Sequence, residues 1–209
     1  MPTTTVNPVQ AVVFDLGGVL IQWDPRNLYR SLFPGDEAGM ERFLSEVCSP
    51  AWNAEQDAGR PWSEAIELLV TDHPDHRDLI VAYRDRWPEM LAGPVTGTVT
   101  ILSELVAAGM PVYALSNWSA DTFPIARQQF EFLSWFQGIV LSGEVRMVKP
   151  DPAIFRHLID TYRLRPRATV FVDDSPTNVA AARELGMIAL DFTDPHGLRR
   201  DLRALGVLP

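Results

Sequence analysis

Three carboxylates stand where two short apolar runs end. Asp15 closes the run Val12-Val13-Phe14, and Asp173 and Asp174 close Val170-Phe171-Val172. Runs of this kind read as buried strands of a parallel sheet. In an open α/β sheet, ligands bind just beyond the carboxyl ends of the strands. If the two runs lie side by side, three acidic side chains meet at one spot. Carboxylates that close repel unless a cation sits among them. A hard divalent ion such as Mg²⁺ takes oxygen ligands of this type. The pattern therefore points to metal-assisted chemistry. A further residue stands out by its rarity: Lys149 is the only lysine among 18 basic residues, the others being arginine. Lysine presents a compact, strongly hydrated point charge where arginine presents a planar fork.

Elements must bring these residues together. The pattern predicts strands at 11–14, 111–115, 138–141, 169–172 and 187–191. Helices are expected at 99–108, 122–133, 152–163, 176–185 and 197–205, with Gly109 ending the first of these. Strands alternating with helices of this length imply βαβ units and a parallel sheet. Between the first strand and residue 93 no strand pattern is evident. Helical patterns there cover 25–33, 37–47, 63–71 and 76–91, each broken at Pro, Gly or Asp. The expected fold class is α/β, a Rossmann-like parallel sheet with helices on both faces and an inserted α-helical cap domain. The core is then discontinuous, residues 1–21 and 93–209, and the cap spans 22–92. An insertion leaving the carboxyl end of a strand lies beside the ligand crevice, which suits a lid.

The chain has 209 residues, 46% hydrophobic and 22% charged, enough for one domain or a core with an accessory domain. Its net charge of −9 argues against nucleic acid, whose phosphate backbone requires a basic footprint. No apolar run reaches the roughly 18 residues of a membrane span, and the N-terminus lacks the pattern of a secretory signal. With Cys48 alone, an internal disulfide is impossible, and a cytoplasmic location is the simpler reading. The four histidines show no metal spacing.

Taken in order, Asp15, Ser116-Asn117, Lys149-Pro150 and Asp173-Asp174 resemble the four motifs of the haloacid dehalogenase (HAD) superfamily. Each stands at the end of a predicted element, and the resemblance extends over essentially the whole chain, cap included. Within that superfamily the chain resembles the small sugar-phosphate phosphatases and the 2-haloacid dehalogenases. The resemblance implies roles. Asp15 is the nucleophile. Asp15, the carbonyl of Gly17 and the pair Asp173 and Asp174 hold Mg²⁺; which member of the pair touches the ion stays open. Ser116, Asn117 and Gly18 receive the phosphoryl group. Lys149 neutralises nucleophile and phosphate and pairs with Asp173. In the cap, Asp57 and Arg60 lie in the loop that closes over the substrate, and Trp23, Trp52 and Trp62 are candidates for its walls. The partner is a small phosphorylated metabolite, and the chain acts as a monomer or homodimer.

One departure matters. Most phosphatases of this superfamily carry aspartate two residues after the nucleophile, where it moves protons. Here that position is Gly17. General acid–base catalysis contributes about 10²–10⁴-fold, so a substitute is expected, and Asp24 and Asp57 are the candidates. Two other readings stand beside a phosphatase with a substitute acid. A 2-haloacid dehalogenase needs no protonated leaving group. A weakly active, phosphate-responsive binding or regulatory protein would need no acid at all.

Overall fold

A computed structural model describes residues 9–209; the first eight residues of the expected core segment 1–21 lie outside it. The described residues form seven strands: β1 (Ala11–Phe14), β2 (Ile21–Trp23), β3 (Leu91–Pro94), β4 (Val112–Ser116), β5 (Gly138–Leu141), β6 (Thr169–Asp173) and β7 (Ile188–Asp191). Five of them make one parallel sheet in the order β5-β4-β1-β6-β7. β1 is central. Val12 pairs with Val112 on one side and with Val170 on the other.

The alternation of side chains sorts this sheet into two faces. Val12, Phe14, Val112, Ala114, Val170 and Val172 enter one buried cluster. Val13, Leu115 and Phe171 enter the other. Helices cover both. The insertion contains α1 (Arg26–Leu32), α2 (Glu37–Glu46), α3 (Pro50–Asp57), α4 (Trp62–Asp72) and α5 (Arg77–Asp85). After it come α6 (Thr96–Ala107), α7 (Phe123–Gln129), α8 (Ser142–Val145), α9 (Pro152–Tyr162), α10 (Pro176–Glu184) and α11 (Pro195–Ala204). Ile101 and Leu102 of α6 and Leu198 and Leu202 of α11 join the first cluster. Phe155 of α9 and Val179 of α10 join the second.

Three local expectations are corrected. The single helix at 76–91 is instead α5, then a 3₁₀ turn Trp87–Met90, then β3. Pro88 accounts for the break: it lacks the N–H that would continue the α-helical ladder. β2 and β3 pair antiparallel, Ile21 with Pro94 and Gln22 with Gly93, so the insertion leaves and re-enters through a two-stranded ribbon. The helix at 122–133 stops at Gln129, and a 3₁₀ turn Glu131–Trp135 follows an extended Phe130. α3 and α8 have no counterpart among the expected helices. No helix among the described residues is long and apolar enough to cross a membrane.

Candidate active site

β1, β4 and β6 are neighbours and run the same way, so their carboxyl ends come together. The sheet's topology branches there: β1 leads to β4 on one side, and β6 lies on the other. This is where a doubly wound sheet opens a crevice. Asp15 follows β1, Ser116 ends β4 and Asp173 ends β6. All three are buried.

Lys149 ties the cluster together. Its Nζ lies 3.0 Å from Asp15 Oδ1 and 2.7 Å from Asp173 Oδ2. The ammonium is buried. Burial opposes its charge, but the carboxylates of Asp15 and Asp173 outweigh that and raise its pKa. For Asp15 burial wins: it pushes the carboxyl up to about 6 against the attraction of Lys149, with a further push from Asp173. The Leu16 N–H also donates to Asp15 Oδ1 at 2.7 Å. Among the described residues none makes such a contact with Asp15 Oδ2.

The neighbours Asp173 and Asp174 divide the work. Asp173 Oδ2 takes Lys149, and its Oδ1 accepts from the Ser175 N–H at 2.8 Å and from Asn178 Nδ2 at 3.0 Å. Asp174 is open to solvent and leans over Gly18. A Cβ on Gly18 would stand 2.1 Å from Asp174 Oδ2, and Gly18 has φ +73°. Only glycine fits both conditions. Loss of surrounding water and the charge of Asp173 raise the Asp174 pKa. Asp15, Asp173 and Asp174 each offer an oxygen within 4.8 Å of the others. Three carboxylates against one ammonium leave an excess of negative charge. That all-oxygen donor set fits a hard divalent cation.

Asn117 has a definite task. Its Nδ2 donates to the Lys149 carbonyl at 2.9 Å, and its Oδ1 accepts from the Lys149 N–H at 2.8 Å. This two-bond clamp sets the backbone that carries Lys149.

A cavity of about 170 Å³ opens beside the cluster. Gly17 and Asn117 line its base, and Trp23, Trp87 and Trp118 its walls. Asn53, Asp57 and Thr122 complete it. Trp87, Trp118, Thr122 and Asn53 were not evident in the sequence; aromatic residues are more often core, and nothing local marks these. Of the three candidate tryptophans, Trp23 lines the cavity. Trp52 and Trp62 do not: with Tyr83 they form an aromatic cluster, ring centroids 5.2–5.7 Å apart, inside the helical insertion.

Asp57 reaches this cavity from the end of α3. Its Oδ1 accepts from the Ser119 N–H at 3.0 Å and its Oδ2 from Asn53 Nδ2 at 2.9 Å. Burial pushes its carboxyl up to about 7, against these two hydrogen bonds. Asp24 is placed differently. It accepts from the Arg26 N–H at 2.9 Å and pairs with the Arg26 guanidinium at 3.3 Å, and it is not among the residues lining the cavity. Arg60 is also not among the residues lining it. Its Nε donates to Gln56 Oε1 at 2.6 Å, and its guanidinium pairs with Glu55.

Known proteins place this geometry in context. A family model for haloacid dehalogenase-like hydrolases matches residues 9–186. The sesquiterpene phosphatase astK of Aspergillus oryzae is 28% identical over 196 residues, which span 94% of this chain and 96% of that protein. Among solved structures, the HAD family enzyme bt-2542 of Bacteroides thetaiotaomicron, in complex with magnesium and inorganic phosphate, superposes with a TM-score of 0.67. That similarity is at 24% identity and covers 89% of this chain and 95% of the other. The L-2-haloacid dehalogenase of Xanthobacter autotrophicus shares the fold at a TM-score of 0.63 and 20% identity, over 96% of this chain and 85% of the other.

Proposed function

We propose, because the chain belongs to the haloacid dehalogenase-like hydrolases, that it is a magnesium-dependent phosphatase whose nucleophile is Asp15. The observation that carries this is the excess of carboxylate around one lysine. Displacing a halide needs no cation, whereas Asp174, open and paired with no cation among the described residues, is well suited to hold one. The likeness to the dehalogenase is one of fold, and the full-length relative named a phosphatase favours phosphoryl transfer.

Asp15, Asp174 and the carbonyl of Gly17 would hold the ion, with Asp173 behind them, already bound to Lys149, Ser175 and Asn178. When bound, Mg²⁺ supplies charge neutralisation and polarises a phosphoryl oxygen. The rest is done by side chains. Asp15 Oδ1 is held by Lys149 and the Leu16 N–H. Oδ2 is therefore the oxygen that attacks phosphorus. The bond from phosphorus to the ester oxygen breaks, and the departing alcohol takes a proton. Water then attacks the aspartyl phosphate, releasing inorganic phosphate and restoring Asp15. Lys149 offsets charge at both steps, and Ser116, Asn117 and Gly18 border the phosphoryl group.

Asp57 is the proton donor in place of the missing acid at position 17. It shares the cavity with Gly17, and with its carboxyl raised to about 7 it carries a proton near neutral pH. Asp24, occupied with Arg26, is the weaker candidate. Residues 22–92 act as the cap over the core formed by 1–21 and 93–209, and Arg60 braces the loop that carries Asp57.

The test is turnover of p-nitrophenyl phosphate with Mg²⁺ and with EDTA, with Asp15→Asn as the blank. Release of nitrophenol that needs both Mg²⁺ and Asp15 is the expected result. Absence of Mg²⁺-dependent release sinks the phosphatase reading and leaves 2-haloacids as the next substrates to try.

A further inference from the structure

Resting on that phosphatase reading, we infer that the cavity takes the phosphate monoester of a neutral, apolar alcohol, such as a benzylic one, rather than that of a polyol or of an acid. Three observations lead there.

The first is the wall. Trp23, Trp87 and Trp118 line the cavity, and the rings of Trp87 and Trp118 lie 5.7 Å apart. Indole rings offer large apolar faces on which another aromatic ring can stack or pack edge-on.

The second is the state of the polar groups. Asn117 spends its amide nitrogen and oxygen on the Lys149 backbone. Both oxygens of Asp57 accept hydrogen bonds from Ser119 and Asn53. Thr122 Oγ1 accepts from Trp118 Nε1 at 3.1 Å. Trp23 Nε1 is the one buried donor of this lining without a partner. A sugar entering here would shed water from several hydroxyls and find few partners in exchange. Each hydroxyl left unpaired weakens binding.

The third is charge. Among the described residues that line the cavity none is basic, and one is Asp57. Arg60 is held by Gln56 and Glu55, and Lys149 by Asp15 and Asp173. A second phosphate or a carboxylate on the substrate would have no counter-charge. Size agrees: an apolar cavity of about 150 Å³ accepts benzene, close to the 170 Å³ available.

The experiment compares kcat/KM for benzyl phosphate, glucose 6-phosphate and phosphoglycolate with Mg²⁺. In parallel, the same three esters are titrated against Asp15→Asn by tryptophan fluorescence, which requires no turnover. Benzyl phosphate is expected to lead both others by about tenfold or more, the scale of one well-filled apolar pocket. Trp118→Leu should raise KM for benzyl phosphate without raising it for glucose 6-phosphate. If that variant does not fold, Trp23→Leu, whose side chain is only half-buried, replaces it. Equal rates, or a lead for the sugar or the acid, overturn the inference and leave the phosphatase reading standing. If none of the three is turned over, p-nitrophenyl phosphate is tried: Mg²⁺-dependent release of nitrophenol keeps the phosphatase reading, and its absence ends it. The titration then decides: tighter binding of benzyl phosphate upholds the cavity's preference, and indifference removes it.

Discussion

Lys149 is one positive charge between two buried carboxylates, and its removal affects stability as well as chemistry. Breaking a buried ion pair by deleting one partner costs about 3–5 kcal/mol, because the other charge is left stranded. Lys149→Met should therefore lose stability on that scale at pH 8 in urea melts. It should lose less near pH 5, where a carboxyl like Asp15, raised to about 6 even with the lysine present, takes a proton. A loss that is equal at both pH values would show that the lysine's packing, not its charge, matters. Asp57 makes a second prediction. Its folded carboxyl sits at about 7, above the ordinary aspartate value, so it holds its proton below neutrality and loses it above. As an acid it works on the low-pH side. kcat for an alkyl phosphate should fall as pH rises through about 7, while kcat for p-nitrophenyl phosphate, whose leaving group needs no proton, should not. Asp57→Asn should cut the alkyl rate by about 10²–10⁴-fold and spare the aryl rate. Gly17 supplies the complementary variant. A Cβ there meets nothing within 4 Å. Gly17→Asp should restore the alkyl rate in the Asp57→Asn background, and failure of that rescue would direct the search away from proton transfer.

The segment after α3 is fastened to the core at several points. The Asp57 carbonyl accepts from Ser142 Oγ, Asp57 Oδ1 takes the Ser119 N–H, and Trp62 Nε1 donates to Ser119 Oγ at 2.9 Å. Gly143 lies under this junction: a Cβ on it would stand 2.6 Å from Ala120 N and 2.8 Å from the Trp118 carbonyl. Both are backbone atoms and cannot swing aside. Gly143→Ala should destabilise by about 1–3 kcal/mol through overpacking, read as a lower urea midpoint. An unchanged midpoint would mean that the junction has slack. The sequence discloses these elements unevenly. The sheet was legible because fully buried parallel strands are unbroken apolar runs. The meeting of Asp15 with the acidic pair was legible because they close apolar runs, and Lys149 stood out as the only lysine, in the loop before α9. β3 was not, because Leu-Ala-Gly-Pro has neither alternation nor β-branched residues. α3 carried a usable signal: Ser49 accepts from the Trp52 N–H as an N-cap, with Pro50 at the first helical position. The cavity walls were the least legible. Trp87 follows α5 and Trp118 follows β4, and only the folded chain brings them to 5.7 Å.

At the scale of the whole molecule, net charge and the acidic cluster act together. The chain carries −9, and three of its carboxylates share one site with a single ammonium. Burial, with a further push from the charge of Asp173, raises the carboxyl pKa of both Asp15 and Asp174, so holding them charged strains the folded state. The sign follows from linkage. A folded pKa above the unfolded one means that the native state binds more protons. For Asp15, stability is then greatest below the unfolded value near 4 and declines as pH rises to about 6. A divalent cation would relieve the same strain by another route. It binds the assembled cluster and not the dispersed carboxylates of the unfolded chain. An ion present at about a hundred times its Kd adds about 2.7 kcal/mol. Mg²⁺ should therefore raise Tm at pH 8, and the rise should shrink at pH 5, where protons compete for the same oxygens. Asp174→Ala should abolish most of the rise while leaving the Lys149–Asp173 pair in place. Asp24→Ala, away from the cluster, should leave it intact. Thermal melts across these conditions separate two possibilities. A rise in Tm that survives Asp174→Ala would come from general screening of the −9 charge, and the cluster would lose its claim to be the metal site.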